Sequence, residues 1–300
     1  MSTVLDNKLI NGWGLFSLIS IPLSLWVIYE MTTVDLSQGA GISEMIGFSV
    51  RIAVPFIYFA MAASSINILF PGTAGRWWLR NRRYIGLCFA VGMVWQGLFI
   101  FIISTFFRDY YYSEVYYFRD ELEGTFGYIF LAAMIVTSFQ FARKRLDLAQ
   151  WKLIQKGGIY VLWGYAFSVY WWNLYYYGGY ELHDIIYYWG GFLAFALRIA
   201  AWGKQRQILA VRQGAAAKAG LGQRAAGIAL IMMGLVVSAT GGYWQEAMTS
   251  FMTTPGWSAQ MELWLPFWPL EPYYSLILMA LGTAIITWRP NPAGAATAPA

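Results

Sequence analysis

Read from the N-terminus, the chain alternates between long apolar blocks and short polar stretches. Gly12 to Tyr29, Met45 to Phe70, Tyr84 to Phe107 and Thr125 to Ala142 are apolar, and so are Ile159 to Tyr176, Ile185 to Trp202, Ala225 to Gly242 and Pro272 to Trp288. Each is near the roughly 20 residues that a helix needs to cross a bilayer. The pattern predicts an all-α membrane protein, a polytopic bundle of about eight transmembrane helices. Met1 to Asn11 is polar and mixed, and no small-residue cleavage site follows the first block, so that block is expected to stay as a helix.

The polar stretches alternate in charge. Arg76, Arg80, Arg82 and Arg83 follow the second block, Arg143, Lys144, Arg145, Lys152 and Lys156 the fourth, and Lys204, Arg206, Arg212, Lys218 and Arg224 the sixth. The intervening stretches are acidic: Asp35 and Glu44; Asp109, Glu114, Asp120, Glu121 and Glu123; Glu181 and Asp184; Glu246, Glu262 and Glu271. Basic loops stay on the cytoplasmic side, which predicts an even number of spans with both ends, near Lys8 and Arg289, in the cytoplasm. Aromatic runs at the acidic ends, such as Tyr110 to Tyr112 and Trp171 to Tyr177, suit an interfacial belt.

Composition agrees. Only 12% of the 300 residues are charged against 59% hydrophobic, about half the charge of a soluble domain. The net charge of +5 lies in short stretches between spans, which argues against nucleic acid. Cys88 is the single cysteine, so an intrachain disulfide and a thiolate metal cluster are both excluded. It reads as a small packing residue or a reactive thiol. No phosphate-binding loop, nucleophile elbow or metalloprotease helix is present. The segmentation is 1–203 as a six-span unit, 204–224 as a basic linker, 225–289 as two further spans with an aromatic outer loop, and 290–300 as a Pro/Ala-rich disordered tail.

Two stretches carry a family resemblance. Arg82-Arg83-Tyr84-Ile85-Gly86-Leu87 opens the third block, which runs on to Trp95-Gln96. Trp151-Lys152-Leu153-Ile154-Gln155-Lys156, then Tyr160, leads into the fifth. Over about Met45 to Trp202 this resembles the ferric reductase-like transmembrane domain, a six-helix haem-binding membrane domain that includes the membrane haem subunit of the bacterial methionine sulfoxide reductase system. The resemblance implies a bacterial inner membrane, electron transport and a partner protein. It also implies histidines where this chain has Gln96, Gln155 and Ser168. The one histidine is His183, at an acidic end. Haem is therefore not expected, and the chain reads as a degenerate member: a haem-free membrane subunit, scaffold or anchor of a larger, redox-linked complex, without catalysis of its own. The alternatives are an electron-transfer protein holding a quinone or an unusually ligated haem, and a transporter of a small solute or metal ion.

Candidate site residues each carry two readings. Gln96 and Gln155 are interhelical hydrogen-bond partners, or they line, with Ser168, a cavity that holds quinone, lipid or pigment. Arg51, two turns inside the second block, snorkels to the acidic face, forms a buried ion pair, or binds an anionic headgroup or quinone oxygen. Glu181, His183 and Asp184 offer copper or zinc three ligands in one turn, or are plain loop polarity. Met248, Met252 and Met261 offer thioethers to Cu(I), or Met248 and Met252 pack from one helix face.

Overall fold

The computed structural model describes residues 5–212, 219–254 and 268–289, together with Gly256, Ser258 and Met261. Its long helices are α1 (Trp13–Glu30), α2 (Gly39–Leu69), α3 (Thr73–Phe106), α4 (Phe118–Thr137), α5 (Leu148–Trp172), α6 (Leu182–Arg212), α7 (Leu221–Ala239), α8 (Gly241–Met252) and α9 (Tyr274–Thr287). Among the described residues every regular element is helical. Helix is what a chain this apolar must form in lipid, because each backbone N–H and C=O then finds its partner within the segment. Pro22 and Pro55 lie inside α1 and α2, where membrane helices accommodate them.

Five helices are long and apolar enough to cross a membrane: α1, α2, α3, α6 and α7. The protein is thus an all-helical chain of membrane type. The other four fall short for different reasons: α8 has only 12 residues. α4 opens on Arg119, Asp120, Glu121 and Glu123. α5 carries Lys152 and Lys156 and is rich in Trp and Tyr. α9 has 14 residues, about 21 Å of helix.

The basic stretches are largely helix, not loop. α2, α3 and α6 have 31, 34 and 31 residues, or about 46–51 Å, against roughly 30 Å of hydrocarbon. Arg76, Arg80, Arg82 and Arg83 occupy the first turns of α3, and Lys204, Arg206 and Arg212 the last turns of α6. The stretch read as a linker therefore begins inside α6. Lys218 of that stretch, and the tail 290–300, lie outside the described residues.

The chain forms two compact units, one from Met1–Ala63 with Gly72–Ala166, the other from Ser64–Pro71 with Phe167–Ala300. In the first, α1 and α3 run parallel at a nearly constant offset: Gly12 meets Asn81, Ser20 meets Cys88 and Ser24 meets Trp95. α2 runs antiparallel to α3, so close that a Cβ on Gly92 would lie 2.5 Å from that of Ala53. α4 returns along α3, from Tyr111–Glu121 at one end through Tyr128–Gln96 to the Arg83–Phe139 contact at the other. α5 runs back along α4 through Trp151–Thr137, Gln155–Met134 and Gly127–Leu162. Leu23, Val27, Met45, Phe48, Phe99 and Ile103 form one core cluster, and Leu15, Ala60 and Ile85 a second.

In the second unit α7 and α9 form an antiparallel pair on glycines. A Cβ on Gly227 would lie 2.7 Å from the Gly282 carbonyl oxygen, and one on Gly282 2.5 Å from the Gly227 carbonyl oxygen. Small residues of this kind let membrane helices pack backbone against backbone. Lys204 of α6 donates from Nζ to the carbonyls of Ile68 (2.7 Å) and Leu69 (3.2 Å) at the C-terminus of α2. It satisfies orphan carbonyls and places a cation at the negative end of the helix dipole. Lys204→Met is expected to cost about 1–2 kcal/mol and to speed hydrogen exchange over Ile66 to Phe70, as read by mass spectrometry. Unchanged exchange there would remove the capping role.

Candidate functional site

The two amides that stand where the resemblance implies histidines are both engaged between helices. Gln96 on α3 accepts from the Tyr128 hydroxyl at 2.8 Å, and that hydroxyl also reaches the Met93 carbonyl at 3.1 Å. Gln155 on α5 donates from Nε2 to the Met134 carbonyl (3.0 Å) and to Thr137 Oγ1 (2.9 Å) on α4. Thr137 is fixed in turn: its hydroxyl donates to the Ala133 carbonyl, and the Trp151 indole donates to its carbonyl. Gly158 keeps the α4–α5 approach close, since a Cβ there would run into the Met134 side chain. Ser168 is buried and belongs to the second unit, whereas Gln96, Gln155 and Arg51 belong to the first. Gln155→Leu is expected to lower stability by about 1 kcal/mol, read as a shift in the detergent unfolding midpoint. No shift would count against the amide as interhelical glue.

Arg51 lies 12 residues into α2 from Gly39, about 18 Å along the helix. It is half-buried, and among the described residues its guanidinium has neither an ion pair nor a hydrogen bond. The buried ion pair is therefore not formed. Pro55, one turn on, has no N–H to give to the Arg51 carbonyl. A free guanidinium and a freed carbonyl thus occur at one level of the helix.

Glu181, His183 and Asp184 do converge, but as a helix cap. His183 Nδ1 is 3.3 Å from Glu181 Oε2, and its Nε2 is 3.5 Å from Asp184 Oδ1. Asp184 is 4% exposed and both its oxygens are already used: Oδ2 accepts the Glu181 backbone N–H at 2.8 Å, and Oδ1 accepts from Asn173 Nδ2 at 2.9 Å. This closes the first turn of α6 onto the end of α5. Among the described residues no three His, Cys, Asp or Glu side chains are arranged to hold a metal ion. Met248 and Met252 share α8, half-buried and buried respectively, and Met261 is exposed. Cys88 is buried between α1 and α3, within reach of Ser20 Oγ and the Tyr84 carbonyl.

The acidic end of the first unit carries a cavity of about 350 Å³ lined by Glu30, Asp35 and Glu44 among others. The Ser37 hydroxyl and N–H, joined by Gln38, hold the Asp35 carboxyl below the ordinary carboxylate range. Nearby, Tyr111 donates to Glu121 at 2.8 Å, and burial with that carboxylate pushes its phenol well above the usual value.

The opposite, basic end holds two groups that hydrophobic patterning passes over. Asn81 is fully buried, accepts the Gly12 N–H at 2.9 Å, and donates to Asn11 Oδ1 and the Trp77 carbonyl at 3.0 Å. Arg83 lies over three aromatic rings, those of Trp13 (5.9 Å), Tyr84 (5.5 Å) and Phe139 (5.3 Å), with its Nε buried and without a hydrogen bond. The available signal was position: both lie in the first turns of α3, before its apolar stretch begins. Comparison with protein families, curated proteins and solved structures finds no match for this chain.

Proposed function

We propose that this protein is a haem-free scaffold or anchor subunit of a larger, redox-linked complex in a bacterial inner membrane. In this reading it crosses eight times, with both ends cytoplasmic. The engagement of Gln96 and Gln155 carries the reading. Two of the three residues at the implied ligand positions, Gln96 and Gln155, serve here to join α3 to α4 and α4 to α5, and the one histidine belongs to a helix cap. An arrangement of this kind keeps a bundle together without a group at its centre. The first five of these crossings are supported by helix direction. The parallel α1 and α3 require α2 to return the chain, and α4 and α5 each run back along their predecessor over the level of the Gln96 and Gln155 contacts. Arg80, Arg83 and Arg143 gather at the ends that the positive-inside rule assigns to the cytoplasm.

The test is purification from native membranes, followed by a reduced-minus-oxidised spectrum and identification of co-purifying polypeptides. The expected result is no stoichiometric haem band and a constant partner protein. A stoichiometric Soret band overturns the proposal. Arg51 favours one second reading, a quinone-binding electron-transfer subunit, because its guanidinium is unmatched at membrane depth. Solvent extraction tests it: quinone retained by the wild type and lost in Arg51→Gln supports it, and quinone absent from both rejects it.

A further inference from the structure

We propose that Arg83 binds the phosphate of an anionic phospholipid. The inference rests on the reading that the first turns of α3 lie at the membrane surface. Arg83 is caged by Trp13, Tyr84 and Phe139, each ring centroid within 6 Å of its guanidinium carbon. Such a cage favours the cation and strips its water from those sides, but supplies no hydrogen-bond acceptor. Nε is buried and unpaired, and among the described residues Arg83 has no carboxylate partner and no hydrogen bond. Its neighbour Arg80 is the contrast: Asp6 lies 3.8 Å from it, and it donates to Asn11 Oδ1 and the Leu5 carbonyl. A dehydrated guanidinium without a counter-charge in its own chain is matched best by an external oxyanion, and the planar fork of arginine suits phosphate.

The surroundings select a lipid over a free anion. Trp13, Phe139 and Phe141 stack in a row, with centroids 6.3 and 6.2 Å apart. Trp13 is 50% and Phe141 62% exposed. This row gives a glycerol backbone and acyl chains an apolar surface beside the charge. Basic pockets between helices at the cytoplasmic leaflet take anionic headgroups in this way.

The test uses the full chain in detergent, titrated with phosphatidylglycerol or phosphatidylcholine and read by native mass spectrometry. The wild type is expected to retain one more phosphatidylglycerol than Arg83→Gln, with affinity about tenfold or more higher. It is expected to show no such preference for phosphatidylcholine. Arg83→Lys, which keeps the charge but loses the fork, is expected to fall between them, and it keeps the test open if the glutamine variant does not fold. Arg82→Gln, on the exposed side of the same turn, should match the wild type. Equal phosphatidylglycerol retention by the wild type and Arg83→Gln overturns the site. Displacement of the Arg83-dependent lipid by millimolar inorganic phosphate overturns the lipid as its occupant. Failure of the membrane reading looks different: the chain would then stay in solution without detergent.

Discussion

Gly282→Leu is expected to separate α7 from α9 and to lower stability by about 3 kcal/mol, roughly a hundredfold in the folding equilibrium. The reason is the atom that a side chain would meet. At Gly282 a Cβ falls 2.5 Å from the Gly227 carbonyl oxygen, and at Gly234, two turns beyond Gly227 on α7, it falls 2.6 Å from that of Ser275. A flexible side chain can turn away, but a carbonyl in a helix cannot, so the helices must part. Parting them removes the close van der Waals packing that holds helices together where lipid is as apolar as they are. It also strains the hydrogen bonds from Gln223 Nε2 to the Ile285 and Trp288 carbonyls. Gly282→Ala should cost less but not nothing, because its Cβ already stands where the oxygen is. Gly222 is the control: it is on the partner helix α7 with nothing within 4 Å of a Cβ, so Gly222→Leu should leave the melt unchanged or raise it slightly. A Gly282→Leu protein that unfolds at the wild-type detergent concentration would mean that the close approach carries no energy.

The contrast between Gly222 and Gly282 marks what the chain's pattern makes legible. Apolar blocks announce which segments leave water, so helices appear near each predicted block, and the strongest blocks, α1, α2, α3, α6 and α7, are also apolar enough to span. α4 and α9 are harder to read for opposite reasons. Acidic residues fill the first turn of α4, and α9 ends after 14 residues. Charge alternation was visible, but not that the arginines of α3 and the lysine and arginines of α6 ride on helix. A periodic apolar pattern stops at the first charge, whereas the backbone continues to hydrogen-bond past it. Nor does patterning say what a residue meets: Gly222, Gly227 and Gly282 are alike in sequence and differ only in the neighbour that packing brings.

The candidate site follows the same division. Gln96 and Gln155 stood out because they occupy positions where the resemblance implies histidines, and each proves to be bound to a neighbouring helix. Arg51 stood out because a charge within an apolar block is costly, and it proves unmatched. Glu181, His183 and Asp184 were visible as a ligand-like triplet, but the use of both Asp184 oxygens depends on Asn173, 11 residues away and polar for no evident reason in the sequence. Asn81 and Arg83 were hidden among the basic residues of one turn. Only the fold distinguishes an arginine that faces water from one that lies under three rings.

Asn81→Leu is expected to release the N-terminal half of α1 from α3, with a loss of about 3 kcal/mol. Asn81 is fully buried, and every part of its amide is used: Oδ1 takes the Gly12 N–H, while Nδ2 gives to Asn11 Oδ1 and the Trp77 carbonyl. Gly12 has φ +60°, a left-handed conformation natural to glycine, and this turns its N–H toward α3 at the start of α1. Leucine fills the volume but leaves the half-buried Gly12 N–H without its acceptor, a loss of about 1–3 kcal/mol, and removes the bonds to Asn11 Oδ1, which keeps Arg80 as a donor, and to the Trp77 carbonyl, about 0.5–1.5 kcal/mol each. Asn81→Asp is expected to be no rescue, although its shape is almost the same. It keeps the acceptor for Gly12 but sets an anion against two oxygens that had a donor. The chain contains its own reporter. Cys88, the single cysteine, is buried where α3 meets Ser20 of α1, two turns beyond Asn81. When α1 lifts away, the thiol opens to a membrane-permeant maleimide. If labelling follows the opening equilibrium, 3 kcal/mol corresponds to a rate roughly a hundredfold higher in Asn81→Leu than in the wild type. An unchanged labelling rate in a folded Asn81→Leu protein would show that apolar packing alone holds α1 on α3. The Asn81 amide would then align the two helices without fastening them.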